Sequence, residues 1–336
     1  MTPLREDMGA RRYFRLTRAD GETRVLMESV PDGHDLATPG QRLDDYVAIA
    51  ACLCDAGIAA PRVDAYDFSS GYILIQDFGD LSFRAAMLSG AVDRGDIYRT
   101  AMQVIQKFGQ VKWDQAVTRP TYYDGAMYKG LRRMVDYYVP VKRGVANDPS
   151  MVNEFLARWE QVEAQARADV GAPVQGFIHC DFHLENLQWR ADQVGMARAG
   201  VLDFQDARMG PAVYDLTNLL NDARMSLPPD EKRTYLAAYL AGVPDADRAN
   251  FDRWFWIYSA QFLHRVAGQF VKHAIIGNTR YLEFMPFIQA NLKDIFSHDF
   301  LAPVAEYLGQ LQVDLEPFPE GLDFSAQARL IAADAY

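Results

Sequence analysis

Apolar positions are spaced in two different ways along this chain. Over roughly the first eighty residues they come in short runs. Tyr13-Phe14-Arg15-Leu16-Thr17 and Thr23-Arg24-Val25-Leu26-Met27 flank Ala19-Asp20-Gly21-Glu22, and the Asp-Gly pair predicts a β-hairpin. From about Gln41 to Ala56, Leu43, Tyr46, Val47, Ala50 and Leu53 repeat at helical spacing, with Gly57 as a stop. Arg62–Tyr66 reads as extended after Pro61, and Tyr72-Ile73-Leu74-Ile75 as a short apolar strand after the Ser69-Ser70-Gly71 turn. Beyond Gln76-Asp77-Phe78-Gly79-Asp80-Leu81 the spacing becomes mostly helical, as in the stripe Met151, Val152, Phe155, Leu156, Trp159 and Val162. Two short apolar runs interrupt it, Gln175–Ile178 and Ala199–Leu202, each followed at once by polar residues. The expected fold class is α+β, with a strand-rich lobe over residues 1–80, a connector at 76–81, and a mainly helical lobe over 82–336 that carries a small β insertion.

Composition narrows the field. With 336 residues, 49% hydrophobic and 24% charged, the chain resembles an ordinary globular protein able to bury a large core. Its net charge of −11 argues against nucleic acid as the main partner, which normally calls for a basic face. Cys52, Cys54 and Cys180 form no even disulfide framework and read as reduced thiols. The first residues lack the apolar core of a signal peptide, and no stretch approaches the apolar length of a membrane span. The expectation is a cytoplasmic protein without a membrane or nucleic-acid partner.

The chemistry concentrates after the two interrupting runs. His179-Cys180-Asp181-Phe182-His183-Leu184-Glu185-Asn186 follows an apolar strand and spaces an aspartate and an asparagine as H-x-D-x-x-x-x-N. Phosphoryl transfer asks little covalent help of a protein; it needs an aligned acceptor hydroxyl and cations that neutralise phosphate charge. Asp181 is a candidate base, and Asn186 a candidate metal ligand. Val201-Leu202-Asp203 then ends an apolar run on a carboxylate, and Asp203 suits magnesium, which prefers hard oxygens. Asp215 follows Gly210-Pro211 at the entry to a helix, where it can cap the helix or hold the catalytic loop from below. A zinc site from His179, Cys180, Asp181 and His183 is rejected, since adjacent residues at a strand end point apart.

With these passages the sequence resembles the aminoglycoside phosphotransferase-like kinases, and within them the bacterial anomeric N-acetylmuramate/N-acetylglucosamine kinases. The resemblance runs through Ala10–Arg15, Leu74–Gly79, the His179–Asn186 loop, Leu202–Ala207, Gly210–Leu216, Leu219–Arg224 and Thr279–Leu282. It implies a bilobal protein-kinase-like fold and an ATP- or GTP-dependent kinase that uses Mg2+ and acts on a small-molecule sugar. It makes Asp181 the base, Asn186 and Asp203 the metal ligands, and Asp215 a support of the loop. Gln76, Asp77 and Phe78 become the hinge that reads the base, and Gly9–Arg15, with Arg12 and Arg15 foremost, lies over the phosphates; the blander reading of Arg11-Arg12 is an exposed sheet edge. His179 is expected to be structural, donating to backbone or to Asp203. His183, Asp206, Tyr123 and Asp124 are candidate acceptor contacts, beside blander readings as a loop histidine, a turn and a helix cap.

Two departures stand out. The family's third-strand lysine is absent: no lysine precedes Lys107, and its place falls near Met27 or Glu28, leaving Arg12, Arg15 or Arg24 to supply the charge. Family members also carry a further helix before the first strand, for which this chain has barely a turn. The competing readings are an aminoglycoside or choline-type phosphotransferase of the same fold, and an inactive pseudokinase acting as a binding module. The aromatic series Trp254, Phe255, Trp256, Tyr258 and Phe262 lies at helical spacing and reads as core.

Overall fold

The hairpin forms around Gly21, whose φ of 88° is open to glycine and strained for other residues. It joins β2 (Arg12–Thr17) to β3 (Thr23–Glu28) in the register Arg12↔Glu28 to Thr17↔Thr23. This is a computed structural model, and it describes residues 1–4, 11–31, 42–113, 123 and 125–336. The chain forms two compact units, Met1–Tyr123 with Gln175–Leu216, and Asp124–Val174 with Thr217–Tyr336.

In the first unit, β1 (Thr2–Pro3), β2 and β3 continue through β5 (Tyr72–Gln76) to β4 (Val63–Asp67), giving an antiparallel sheet in the order β1-β2-β3-β5-β4. Helix α1 (Leu43–Asp55) buries Leu43, Tyr46, Ile49, Ala50 and Leu53. It ends before Gly57, which takes φ 78°; Gln41, the expected start, lies outside the described residues. Ser82 caps α2 (Phe83–Leu88) by accepting from Ala85 N, and Asp93 caps α3 (Arg94–Phe108) by accepting from Gly95 N. Two short antiparallel pairs complete this unit. One is β6 (Gln175–Ile178) with β9 (Arg208–Pro211), the other β7 (Leu187–Trp189) with β8 (Ala199–Val201).

The second unit is helical: α4 (Ala126–Gly130), α5 (Val139–Arg143), α6 (Pro149–Val170), most of α7 (Tyr214–Leu220), α8 (Pro229–Leu240), α9 (Asp245–Ile275), α10 (Met285–Ile295) and α11 (Ala302–Gln310). Asp148 caps α6 with Pro149 at its first position, and Phe155, Trp159, Val162 and Ala166 form its buried stripe. Helix α9 is the long aromatic helix, and Trp254, Phe255, Trp256 and Tyr258 are buried as core while Phe262 is half-buried. A π-helical turn, Met134–Tyr138, crosses α9 at Gly268, where a Cβ would stand 2.0 Å from the Arg133 carbonyl oxygen. Buried Lys232 donates to the amide oxygens of Asn221 (2.6 Å) and Asn291, and burial lowers its pKa to about 7. Among the described residues no helix is long and apolar enough to cross a membrane.

Candidate active site

The site is built on the two β pairs of the first unit. Strand β6 runs directly into His179, Cys180 and Asp181; a single 3-10 turn, Leu184–Asn186, then leads into β7. His183 caps that turn, its Nδ1 accepting from Glu185 N at 3.3 Å. The turn is tethered from outside: Arg84 donates to Glu185 Oε1 (3.1 Å) and the Ser82 hydroxyl to Glu185 Oε2 (3.3 Å).

Asp181, Asn186 and His183 are brought together. The Asn186 side-chain amide nitrogen donates to the Asp181 carbonyl oxygen at 2.9 Å and lies 3.3 Å from Asp181 Oδ2. His183 Nε2 approaches the same Oδ2 at 3.4 Å. With its NH2 committed to Asp181, Asn186 has its amide oxygen left for other ligands. The Asp181 side chain is 59% exposed, as a group meeting an incoming acceptor requires.

Asp203 joins this loop through the backbone. Leu202 N donates to the Asn186 carbonyl (2.9 Å), while His179 Nε2 donates to the Leu202 carbonyl (2.8 Å) and His179 Nδ1 accepts from Asp181 N (3.3 Å). That pairing requires a neutral imidazole protonated at Nε2, and complete burial lowers the His179 pKa accordingly. His179 thus bonds to the carbonyl next to Asp203 and not to the Asp203 side chain. Beneath them Asp215, also buried, accepts from His179 N (2.7 Å) and Cys180 N (3.0 Å). Burial pushes the Asp215 carboxyl up to about 7, against the pull of those two N–H groups.

Next to Asp203, Gln205 donates its amide to Asp203 Oδ1 at 2.6 Å, and its own Oε1 is buried with no hydrogen-bond partner among the described residues. Asn186 Oδ1, the Asp203 carboxylate and this amide oxygen are all hard oxygen donors, the kind magnesium takes alongside phosphate and water. Gln205 was not among the expected site residues, although it stands in the Leu202–Ala207 passage that carries the family resemblance. Phe204 is buried against the Tyr46 ring, centroids 4.7 Å apart, which ties α1 to this segment. Asp206 lies in the turn Gln205–Asp206. Surrounding protein atoms raise the Asp206 pKa, as do Asp203 and Asp181, and the cations Arg208 and Arg11 oppose them. Arg208 and Arg11 are thus positive side chains acting on Asp206; Arg11 belongs to the Gly9–Arg15 stretch expected over the phosphates, whereas Arg208 was not among the expected site residues.

The arginines expected over the phosphates are held by carboxylates. Arg12 pairs with Glu28 (2.7 Å) across the hairpin, and Arg24 pairs with Asp64 and with Glu22 (2.9 Å). Arg15 is bound to Asp77 and Asp80, in the segment expected to be the hinge. At the expected lysine position Met27 is fully buried, and Glu28 is the partner of Arg12. Phe78, expected in the hinge, packs on Gly200 of β8, where a Cβ would come within 2.5 Å of the ring, and Arg190 covers the ring at 4.7 Å. Tyr123 N donates to the Met209 carbonyl (2.7 Å), and its ring meets Tyr214 edge-on. Asp124 lies outside the described residues.

Comparison with known proteins agrees with this architecture. Residues 1–252 match the family model described as the phosphotransferase enzyme family. The chain is 30% identical over 268 residues to the N-acetylmuramate/N-acetylglucosamine kinase of Caulobacter vibrioides, spanning 78% of this chain and 72% of the relative. It is also 30% identical over 250 residues to the enzyme of that name from Pseudomonas aeruginosa, spanning 73% and 68%. Among solved structures, the GDP and kanamycin complex of an APH(2'')-type protein has a TM-score of 0.53 at 13% identity, covering 88% of this chain and 93% of that one. A choline/ethanolamine kinase family protein from Mesorhizobium loti has 0.50 at 16%, covering 98% and 93%. At such identities these likenesses speak for the α+β, protein-kinase-like fold alone. A catalytic-loop pattern on the expected strand–turn geometry and a family match over most of the chain lead to one conclusion: the protein belongs to the phosphotransferase enzyme family and is a phosphotransferase with a hydroxyl acceptor.

Proposed function

We propose that the protein transfers the γ-phosphoryl group of ATP or GTP to a sugar hydroxyl, at C1 of N-acetylmuramate or N-acetylglucosamine. The observation that carries the reading is the clustering of Asp181 and Asn186, whose side-chain amide donates to the Asp181 carbonyl at 2.9 Å, with the Asp203 segment, where Leu202 N donates to the Asn186 carbonyl. The choice of acceptor is supported by the names of the curated relatives. In this reading Asp181 orients the acceptor hydroxyl and takes its proton. An anomeric hydroxyl is more acidic than an ordinary alcohol, so modest basicity is enough. Asn186 and Asp203 would hold magnesium, whose charge neutralises the phosphate oxygens. The hinge at 76–81 between the proposed lobes meets the base. His183 and Asp206, both within electrostatic reach of Asp181, are the acceptor contacts we assign.

The test is a substrate panel of N-acetylmuramate, N-acetylglucosamine, their 1-O-methyl glycosides, kanamycin and choline, with ATP or GTP and magnesium. Turnover is expected with the two free amino sugars and none with the methyl glycosides. Turnover confined to kanamycin or choline would replace the acceptor. Absence of transfer to every compound would remove the kinase reading.

A further inference from the structure

Arg15 was expected at the phosphates, yet the surroundings of its guanidinium are those of a different role. Nε and Nη2 donate to the two oxygens of Asp77 at 2.5 and 3.1 Å, and Nη1 and Nη2 donate to the two oxygens of Asp80 at 2.7 and 2.8 Å. One cation thus grips two carboxylates in two forked pairs, a geometry guanidinium provides and ammonium does not. One positive charge between two negative ones leaves the cluster with a formal charge of −1, which repels a polyphosphate. The Asp77 side chain is only 4% exposed, and its Oδ1 also accepts from Gly79 N at 2.8 Å. Gly79 itself turns at φ 84°. Burial works against the charge on Asp77, but the donors from Arg15, Gly79 and Thr23 hold its pKa below the ordinary carboxylate value. Between the two gripped carboxylates lies Phe78, fixed on its far side by Gly200 and Arg190. Among the described residues nothing bonds to the Phe78 N–H, which leaves that group for a ligand.

We infer that Arg15 is a positioning residue for the nucleobase: anchored in β2, it holds Asp77 and Asp80 so that the hinge backbone keeps the shape that meets the base. The inference rests on the kinase reading for its ligand. It assigns Arg15 to the base end of the nucleotide and removes it from the phosphate end.

The two ends can be separated by ligand. Adenosine and ATP, or guanosine and GTP if the enzyme prefers guanine, are titrated calorimetrically against wild type, Arg15→Gln, Arg15→Lys and the hairpin control Arg18→Gln. With Arg15 as a positioning residue, both Arg15 variants weaken nucleoside and nucleotide by the same factor, about tenfold, because the hinge loses preorganisation. Arg15→Lys does not rescue, and KM for nucleotide rises while kcat moves little. Arg18→Gln binds as wild type does. If nucleoside affinity is unchanged and only nucleotide affinity falls, Arg15 contacts phosphate and the inference is overturned; it is overturned equally if neither changes. Should the Arg15 variants fail to fold, Asp80→Asn carries the same comparison with a smaller factor, since Asp80 is 73% exposed and Asp77 keeps its pair. Failure of the wild type to bind any nucleotide would instead count against the proposed function.

Discussion

Two non-glycine residues of the active site, Cys180 (φ 75°) and Asp203 (φ 58°), sit in the left-handed region, each next to a residue of the proposed chemistry or part of it. Such conformations cost about 1–3 kcal/mol each and persist only where neighbours over-determine them. For Cys180 the neighbour is Asp215, which takes both the His179 and Cys180 N–H groups; for Asp203 it is the His179–Leu202 bond. Asp215→Asn offers one acceptor oxygen where two are used, so one buried N–H loses its partner. The expected result is about 1–3 kcal/mol of lost stability in denaturant unfolding. A fall in kcat should exceed any change in nucleotide affinity. Asp181→Asn, by contrast, should leave nucleotide binding and stability near wild type while lowering kcat about 100-fold or more, the usual worth of a positioned base. At this scale the sequence was informative where partners are close in the chain: Asp181 and Asn186 belong to one loop, and their spacing already implied a shared cleft. The partners of Arg15, Asp77 and Asp80, lie more than sixty residues away, and residue type alone could not say whether a carboxylate or a phosphate would meet it.

Among the elements, close backbone approach decides what can be substituted. Gly268→Ala places a Cβ against the Arg133 carbonyl, which is backbone and cannot swing away, so the π-helical turn or α9 must shift. A loss of about 1–3 kcal/mol or more is expected, measurable as a lower melting temperature. Gly200→Ala meets a movable ring instead; Phe78 must leave its place, and KM for nucleotide should rise more than stability falls. Lys232 makes a separate prediction. Its pKa is about 7 in the folded state and 10.5 as reference, so between those values the unfolded chain binds more protons, and this residue makes stability increase with pH across that window. Unfolding of wild type and Lys232→Met at pH 7 and pH 9 should show the upward slope in the first and a flatter one in the second. The hairpin, α1 and α9 were legible because period and turn chemistry are local. Gly200 and Gly268 were not, since only the partner element shows why no side chain fits there.

For the molecule as a whole, the family match and the geometry converge on phosphoryl transfer, and net charge of −11 fits a small-molecule acceptor better than a polyanionic one. The strand lysine that the resemblance calls for is missing, as the sequence already made visible. Met27 occupies the expected lysine position as core, the sheet arginines are held by acids, and Arg208 and Arg11 act on Asp206. The central claim is transfer to an anomeric hydroxyl, and phosphorus NMR of the product formed from N-acetylmuramate and magnesium ATP tests it most directly. The account predicts a phosphomonoester signal coupled to the anomeric proton. A signal coupled to another sugar proton, or inorganic phosphate alone, would contradict it.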